Sequence, residues 1–235
     1  MDADILRLRN LLDSGDVEVC IIGEVALSYY NVNRVVHDIE LCVPTEKLPK
    51  ALSIINANNQ HFEKFDWPKG PKNIFTEYKS TYTRFRGVKR PEFIFVVLPD
   101  TLFHLNPLKD NIIREHPVRA EYSDQMSDLI LDKDVLQFIP LPRLAPFLSG
   151  LIRLFNESKN YVFAMCAEQL VDGMDLDEGW CKSHLNAGFE EEYKFALKLV
   201  KGKSSRVAPM CPDFITCYIS TPDEAGKVHK IPGRN

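Results

Sequence analysis

IIGEVALSYYNVNRVVHDIELCV, running from Ile21 to Val43, holds in order the end of a strand, a turn, a helix and a second strand that carries two acids. Val17 to Ile22 is β-branched and apolar apart from Glu18 and Cys20, as a largely buried strand requires, and Gly23 ends it where the backbone must bend or approach something closely. Val25 to Tyr30 reads as helix. In Asp38-Ile39-Glu40-Leu41-Cys42-Val43 the period of two sets Asp38, Glu40 and Cys42 on one face and Ile39, Leu41 and Val43 on the other. The two carboxylates therefore stand about 6–7 Å apart on one strand face. They repel unless a cation or a proton lies between them. Mg²⁺, which takes a few carboxylates together with substrate phosphates, is the natural filler. A solvated strand face is the ordinary alternative for an Asp-x-Glu triplet, and spacing by itself does not choose between them.

Working outward, Asp2 to Asp13 sets Ile5, Leu8, Leu11 and Leu12 at helical spacing, with Gly15 after the end. Beyond the acidic strand, Glu46 to Ala57 carries a stripe of Leu48, Ala51, Leu52 and Ile55, with Thr45 as the expected N-cap. This helix–strand alternation predicts helices packed on a mixed sheet. Asn58 to Lys79 turns polar around Pro68, Gly70 and Pro71 and reads as an irregular excursion at the rim of a site, with one short strand at Phe62 to Phe65. Thr81 to Arg86 and Glu92 to Leu98 read as two strands joined by Gly87-Val88-Lys89-Arg90-Pro91, the second central in the sheet. Arg84, Arg86, Lys89 and Arg90 make this hairpin basic. It can neutralise phosphates or simply be a solvated tip.

Short strands are expected at Asp128 to Leu131 and Val135 to Ile139, and from Pro140 the texture becomes helical. Leu144 to Phe155, Tyr161 to Val171 and Phe189 to Lys201 each have helical length, the last with acids first and lysines last as the helix dipole favours. From Lys203 onward the chain reads as a partly irregular tail with a short strand at Phe214 to Ile219 and a mobile end. The expected organisation is an α/β domain over residues 1–139, a helical domain over 140–202 and a tail over 203–235.

The composition bounds the function classes. The 235 residues, 45% hydrophobic and 26% charged, suffice for one sizeable core or two small ones. No apolar run approaches a membrane span and Met1-Asp2-Ala3-Asp4 opens no signal-peptide core, so a cytoplasmic protein without a membrane partner is expected. Six cysteines without CxxC spacing predict reduced thiols rather than zinc or disulfides. Cys20 and Cys42 are expected on neighbouring strands. A formal charge of −4 argues against broad contact with nucleic-acid backbone. Gly202-Lys203-Ser204 lacks the earlier glycine of a P-loop, position 197 being Leu197, and no GxSxG, HExxH or GxGxxG occurs. His37, beside Asp38, reads as a structural histidine or as a group that tunes the site.

The Gly23 turn, Arg34 and the Asp38-Ile39-Glu40 triplet together resemble the signature of the polymerase-beta type of nucleotidyltransferase superfamily. There a glycine followed by Gly or Ser ends the first strand, and an acid, an apolar residue and a second acid sit on the next. The resemblance covers about the first half of the chain. It implies an α+β fold, a mixed sheet flanked by helices and followed by a helical half that shapes an acceptor site. It implies further that Asp38, Glu40 and a third acid from a later strand hold two Mg²⁺ ions; Glu92 is the candidate by analogy, and a candidate general base, with an exposed first residue of its strand as the equal alternative. Gly23, Glu24, Arg34, Arg84 and Arg86 would face the phosphates of an NTP such as ATP. The implied activity is Mg²⁺-dependent nucleotidyl transfer to a hydroxyl of a small molecule or protein. Glu24 departs from the pattern, since a carboxylate there repels phosphates unless it turns away or binds a cation. A pseudoenzyme, keeping the fold as a binding or regulatory module, is the alternative, as is a different reaction on the same fold.

Overall fold

Strand β2, Asp38–Val43, is buried along its whole length, and the rest of the sheet is arranged about it. The computed structural model describes residues 2–66, 76–114, 137–185, 190–207 and 213–235. Among these, β1 (Cys20–Ile22), β2, β3 (Phe62–Phe65), β4 (Arg84–Gly87) and β5 (Ile94–Pro99) form a five-stranded sheet in the order β1-β2-β5-β4-β3. β2 and β5 are parallel and the other pairs antiparallel, so the sheet is mixed. The fold is α+β.

Register explains why both faces of β2 are covered. Ile39 lies beside Phe95, which lies beside Phe85. With Phe62, whose ring meets Phe95 edge-on at 5.7 Å, they make one apolar face. Helices α1 (Asp2–Ser14) and α3 (Leu48–Ala57) bury Ile5, Leu8, Leu12, Ala51 and Ile55 in the same core. The opposite face runs Ile22, Glu40, Val96, Arg84 across four strands. Helix α2, Gly23–Tyr29, leads directly out of β1. Cys20 and Cys42 face each other in register, as expected from the sequence, and both are buried free thiols.

Thr45 does not cap α3. Its N–H and hydroxyl both donate to Asp100, at 3.0 and 2.8 Å, tying the exit of β2 to the exit of β5. Past β5, the short strands β6 (Ile112–Ile113) and β7 (Leu141–Pro142) pair, and the Pro140 carbonyl accepts from Ile21 on β1 at 2.8 Å. The expected strand at Asp128 to Leu131 falls outside the described residues. So do Val135 and Leu136, and Gln137 to Ile139 is turn rather than strand.

The helical half comprises α4 (Leu144–Ser158), α5 (Tyr161–Gly173), α6 (Glu178–Leu185), α7 (Glu190–Lys201) and the short α8 (Lys203–Val207). α4 approaches the 3-10 turn Asp100–Phe103 so closely that a Cβ at Gly150 would collide with the Phe103 carbonyl, so glycine is needed there. No described helix is long and apolar enough to cross a membrane.

The tail corrects the expectation of a mobile end. α9, Pro222–Val228, begins with a capping box in which the Thr221 hydroxyl accepts from Glu224 N–H and the Glu224 carboxylate accepts from Thr221 N–H. After it, the carbonyls of Pro232, Gly233 and Arg234 accept from the Tyr29 hydroxyl, Leu144 N–H and Trp180 Nε1–H at 3.0, 2.8 and 2.9 Å. These bonds tie the final residues to α2, α4 and α6. The expected strand at Phe214 to Ile219 is reduced to a single bridge between Thr216 and Ile219.

Candidate functional site

Asp38 and Glu40 point to the same face of β2 and are 3% and 1% exposed. Two buried like charges need a counter-charge, and the chain brings one from a distant segment. Lys79, 2% exposed, sits at the end of the 3-10 turn Glu77–Lys79. Its Nζ lies 2.7 Å from Glu40 Oε1 and 3.2 Å from Asp38 Oδ2. The neighbouring Tyr78 hydroxyl donates to the same Glu40 oxygen at 2.5 Å. Burial works against a charged lysine, but Glu40 and Asp38 outweigh it and hold the ammonium above its ordinary range. Burial and the Glu40 charge push the Tyr78 phenol well up.

Each carboxylate keeps one oxygen in reserve. Asp38 Oδ1 and Glu40 Oε2 are buried and have no hydrogen-bond partner among the described residues. Gly23 closes the other side of Glu40. Its φ of +63° belongs to the left-handed region that glycine tolerates, and a Cβ there would lie 2.6 Å from the Glu40 carboxyl carbon. The bend is a cradle for that carboxylate.

The remaining candidates divide. Glu24 turns onto His37, accepting from its backbone N–H at 2.7 Å and lying 3.1 Å from its Nδ1, so its charge is engaged across the segment between α2 and β2. Arg34 reaches the helical half, where its Nη2 donates to Cys166 Sγ on α5 at 3.5 Å. Burial, partly opposed by Arg34, pushes the Cys166 thiol up to about 11.

Arg84 is buried on the acid face, but its guanidinium donates to the carbonyls of Lys79, Ser80 and Tyr82 at 2.9, 3.4 and 3.3 Å. It clamps the turn that presents Lys79. Arg86 leaves the site altogether, pairing at 2.5 Å with Glu63 directly across from it on β3.

Glu92 does not join the acids. It has the parity of Ile94 and Val96, the residues of β5 that lie beside Asp38 and Glu40, but the strand begins only at Ile94 and Glu92 is exposed in the preceding turn. Apolar side chains hold the positions where a third acid from β5 would meet the pair. Among the described residues no three His, Cys, Asp or Glu side chains are grouped to hold an ion.

No protein-family model and no curated protein matches this chain.

Sequence reasoning missed Lys79 and Tyr78. The signal available was indirect, since two acids on a strand destined for burial demand a cation. The residues between β3 and β4 held several lysines able to supply it.

The pair suits a divalent cation. Carboxylate oxygens are the hard donors that Mg²⁺ prefers, and each acid has one buried oxygen without a partner among the described residues. Asp38 and Glu40 would hold such an ion; Glu92, as placed, would not.

Proposed function

We propose that this chain is a divergent nucleotidyltransferase of the polymerase-beta type, transferring a nucleotidyl group from an NTP to a hydroxyl of a small molecule or protein. The observation that carries the reading is the buried pair Asp38 and Glu40, set beside the Gly23 bend, with one oxygen on each that has no partner among the described residues. Buried, imperfectly paired acids are costly and gather at functional sites. Bound there, Mg²⁺ supplies charge stabilisation at the oxygens of an α-phosphate displacement.

The chain's own residues do the rest. Asp38 and Glu40 would hold the ion. Tyr78 and Lys79 orient the Glu40 carboxylate. Glu24 accepts from the backbone N–H of His37, which ties its carboxylate to the segment between α2 and β2. With Glu92 outside the pair, no acid of β5 serves as third ligand in this reading. The charge of −4 favours a small-molecule or protein acceptor over extended RNA.

A second reading has its own observation. The Lys79 ammonium already occupies the space between the acids, as expected of a module that keeps the fold without the chemistry. Pyrophosphate release from each NTP in Mg²⁺, compared with Asp38→Asn and Glu40→Gln, tests the first reading. Release that persists in both variants sinks it. Calorimetric binding of Mg²⁺·ATP without release under any acceptor supports the module instead.

A further inference from the structure

We infer that the acid pair takes one divalent ion and not two, because Lys79 stays in the site as a built-in cation. The inference rests on the divalent-ion reading of Asp38 and Glu40 given above, and it concerns what Lys79 does to that site. The resembled superfamily sets three acids against two divalent ions. Here the third acid is missing, β5 offering Ile94 and Val96 beside the pair. A lysine is present in its stead, within ion-pair distance of both acids.

Charge counting follows from those positions. Among the three groups in direct contact, two carboxylates and one ammonium leave a single surplus negative charge, shielded from water. No other described cation pairs with either acid. Arg84 directs its two Nη groups to the carbonyls of Lys79, Ser80 and Tyr82, and Arg34 donates from Nη2 to Cys166, so neither guanidinium contacts the acids. One divalent ion converts the surplus to a single positive charge, which suits a phosphate-bearing ligand. That is also the net charge that two divalent ions give with three carboxylates. A second ion beside Lys79 would crowd three cations onto two carboxylates.

Lys79 is also fixed in place. Its carbonyl is held by Arg84 at 2.9 Å, its neighbour Tyr78 is hydrogen-bonded to Glu40, and the Tyr78 ring packs edge-on against Phe103 and Phe163 at 6.0 and 5.1 Å. An ammonium held on both sides of its Cα is a fixture of the site rather than a side chain passing through it. Lys79 is thus a positioning residue that sets the stoichiometry and affinity of the ion.

Mn²⁺ serves as the probe, counted by electron paramagnetic resonance on the full chain without nucleotide. The native chain is expected to bind one Mn²⁺, lost in Asp38→Asn and in Glu40→Gln. Lys79→Met removes the competing charge and should bind Mn²⁺ tighter by about tenfold or more. Lys79→Arg keeps the charge and should stay within about threefold of the native affinity. Two Mn²⁺ in the native chain, or unchanged or weaker binding by a folded Lys79→Met, overturns the inference. The native count decides even if Lys79→Met does not fold. Absence of Mn²⁺ binding in every variant, or binding that survives loss of both acids, removes the divalent-ion reading and this inference with it. One Mn²⁺ with no pyrophosphate release leaves the inference standing and refutes only the transfer reaction.

Discussion

Two buried acidic clusters in this chain are built on different terms. In the helical half, Asp172 on α5, 2% exposed, receives Arg206 in a forked grip, Nε at 2.8 Å on one oxygen and Nη2 at 2.5 Å on the other. On the sheet, Asp38 and Glu40 share one ammonium, and each keeps a buried oxygen without a partner among the described residues. The first arrangement is what a protein does with a buried acid when only stability is at stake, both lone-pair directions being met by a planar cation. The second leaves charge and acceptor capacity in reserve. Under the ion-site proposal, that reserve is what a ligand would draw on, and Asp172 has no such reserve to offer.

The contrast is open to direct attack. The largest effect is expected from Arg206→Met, which strands Asp172 in the interior and should cost about 3–5 kcal/mol of folding stability by urea denaturation, with no response to divalent ions. Lys79→Met should cost about 3 kcal/mol in chelator, because it leaves two carboxylates facing each other. Millimolar Mg²⁺ or Mn²⁺ should return most of that stability by binding the native state. If divalent ions rescue both variants alike, or neither, the distinction between the clusters is lost.

Neutralising an acid should sharpen the difference. Asp172→Asn breaks one arm of a complete fork and should lose about 2 kcal/mol. Asp38→Asn removes surplus charge and should gain about 1 kcal/mol in the absence of ions. Thermal melts of both variants in chelator check the opposite signs.

The smallest effects belong to the α9 cap, which provides an exposed reference. Thr221→Ala should cost about 1 kcal/mol. Glu224 accepts from the N–H and hydroxyl of Ser220, which hold its carboxyl below the usual range. A lowered folded-state value means stability that is present above the unfolded value of about 4.3 and is lost as pH falls through the folded one. Glu224→Gln should therefore flatten the acid limb of the pH–stability curve below about pH 5. An unchanged acid limb would remove Glu224 from the account.

What was legible in the sequence was whatever depends on local period. The alternation Asp38-Ile39-Glu40-Leu41 put both acids on one face, and Gly23 announced the positive-φ bend that now holds the Glu40 carboxylate. The helices at Leu144–Ser158, Tyr161–Gly173 and Glu190–Lys201 were readable from apolar content, length and, in the last, spacing, whereas Glu178–Leu185 was not read. Long-range pairing was not. Lys79 meets Glu40 from 39 residues away, out of a stretch with no period, and nothing local distinguishes it from a solvated lysine.

Glu92 shows a choice that local pattern left open, between third ligand and exposed strand start, and the second is what the structure has. Its parity was right, but a strand that starts two residues later leaves it in water. Arg84 looked like a phosphate ligand because its charge was visible and the carbonyls it serves were not. The ordered tail could have been seen, since Thr221-Pro222-Asp223-Glu224 carries the spacing of a capping box with proline at the first helical position.

Tyr78 joins the two layers of the molecule mechanically. Its hydroxyl touches Glu40 while its ring is wedged against Phe163 of α5 and Phe103. Under the ion-site proposal, an occupant that moves the Glu40 carboxylate must break this hydrogen bond or move a ring packed on the helices. Any change at Phe163 that alters the occupant's affinity must then be favoured or opposed by the occupant to the same factor.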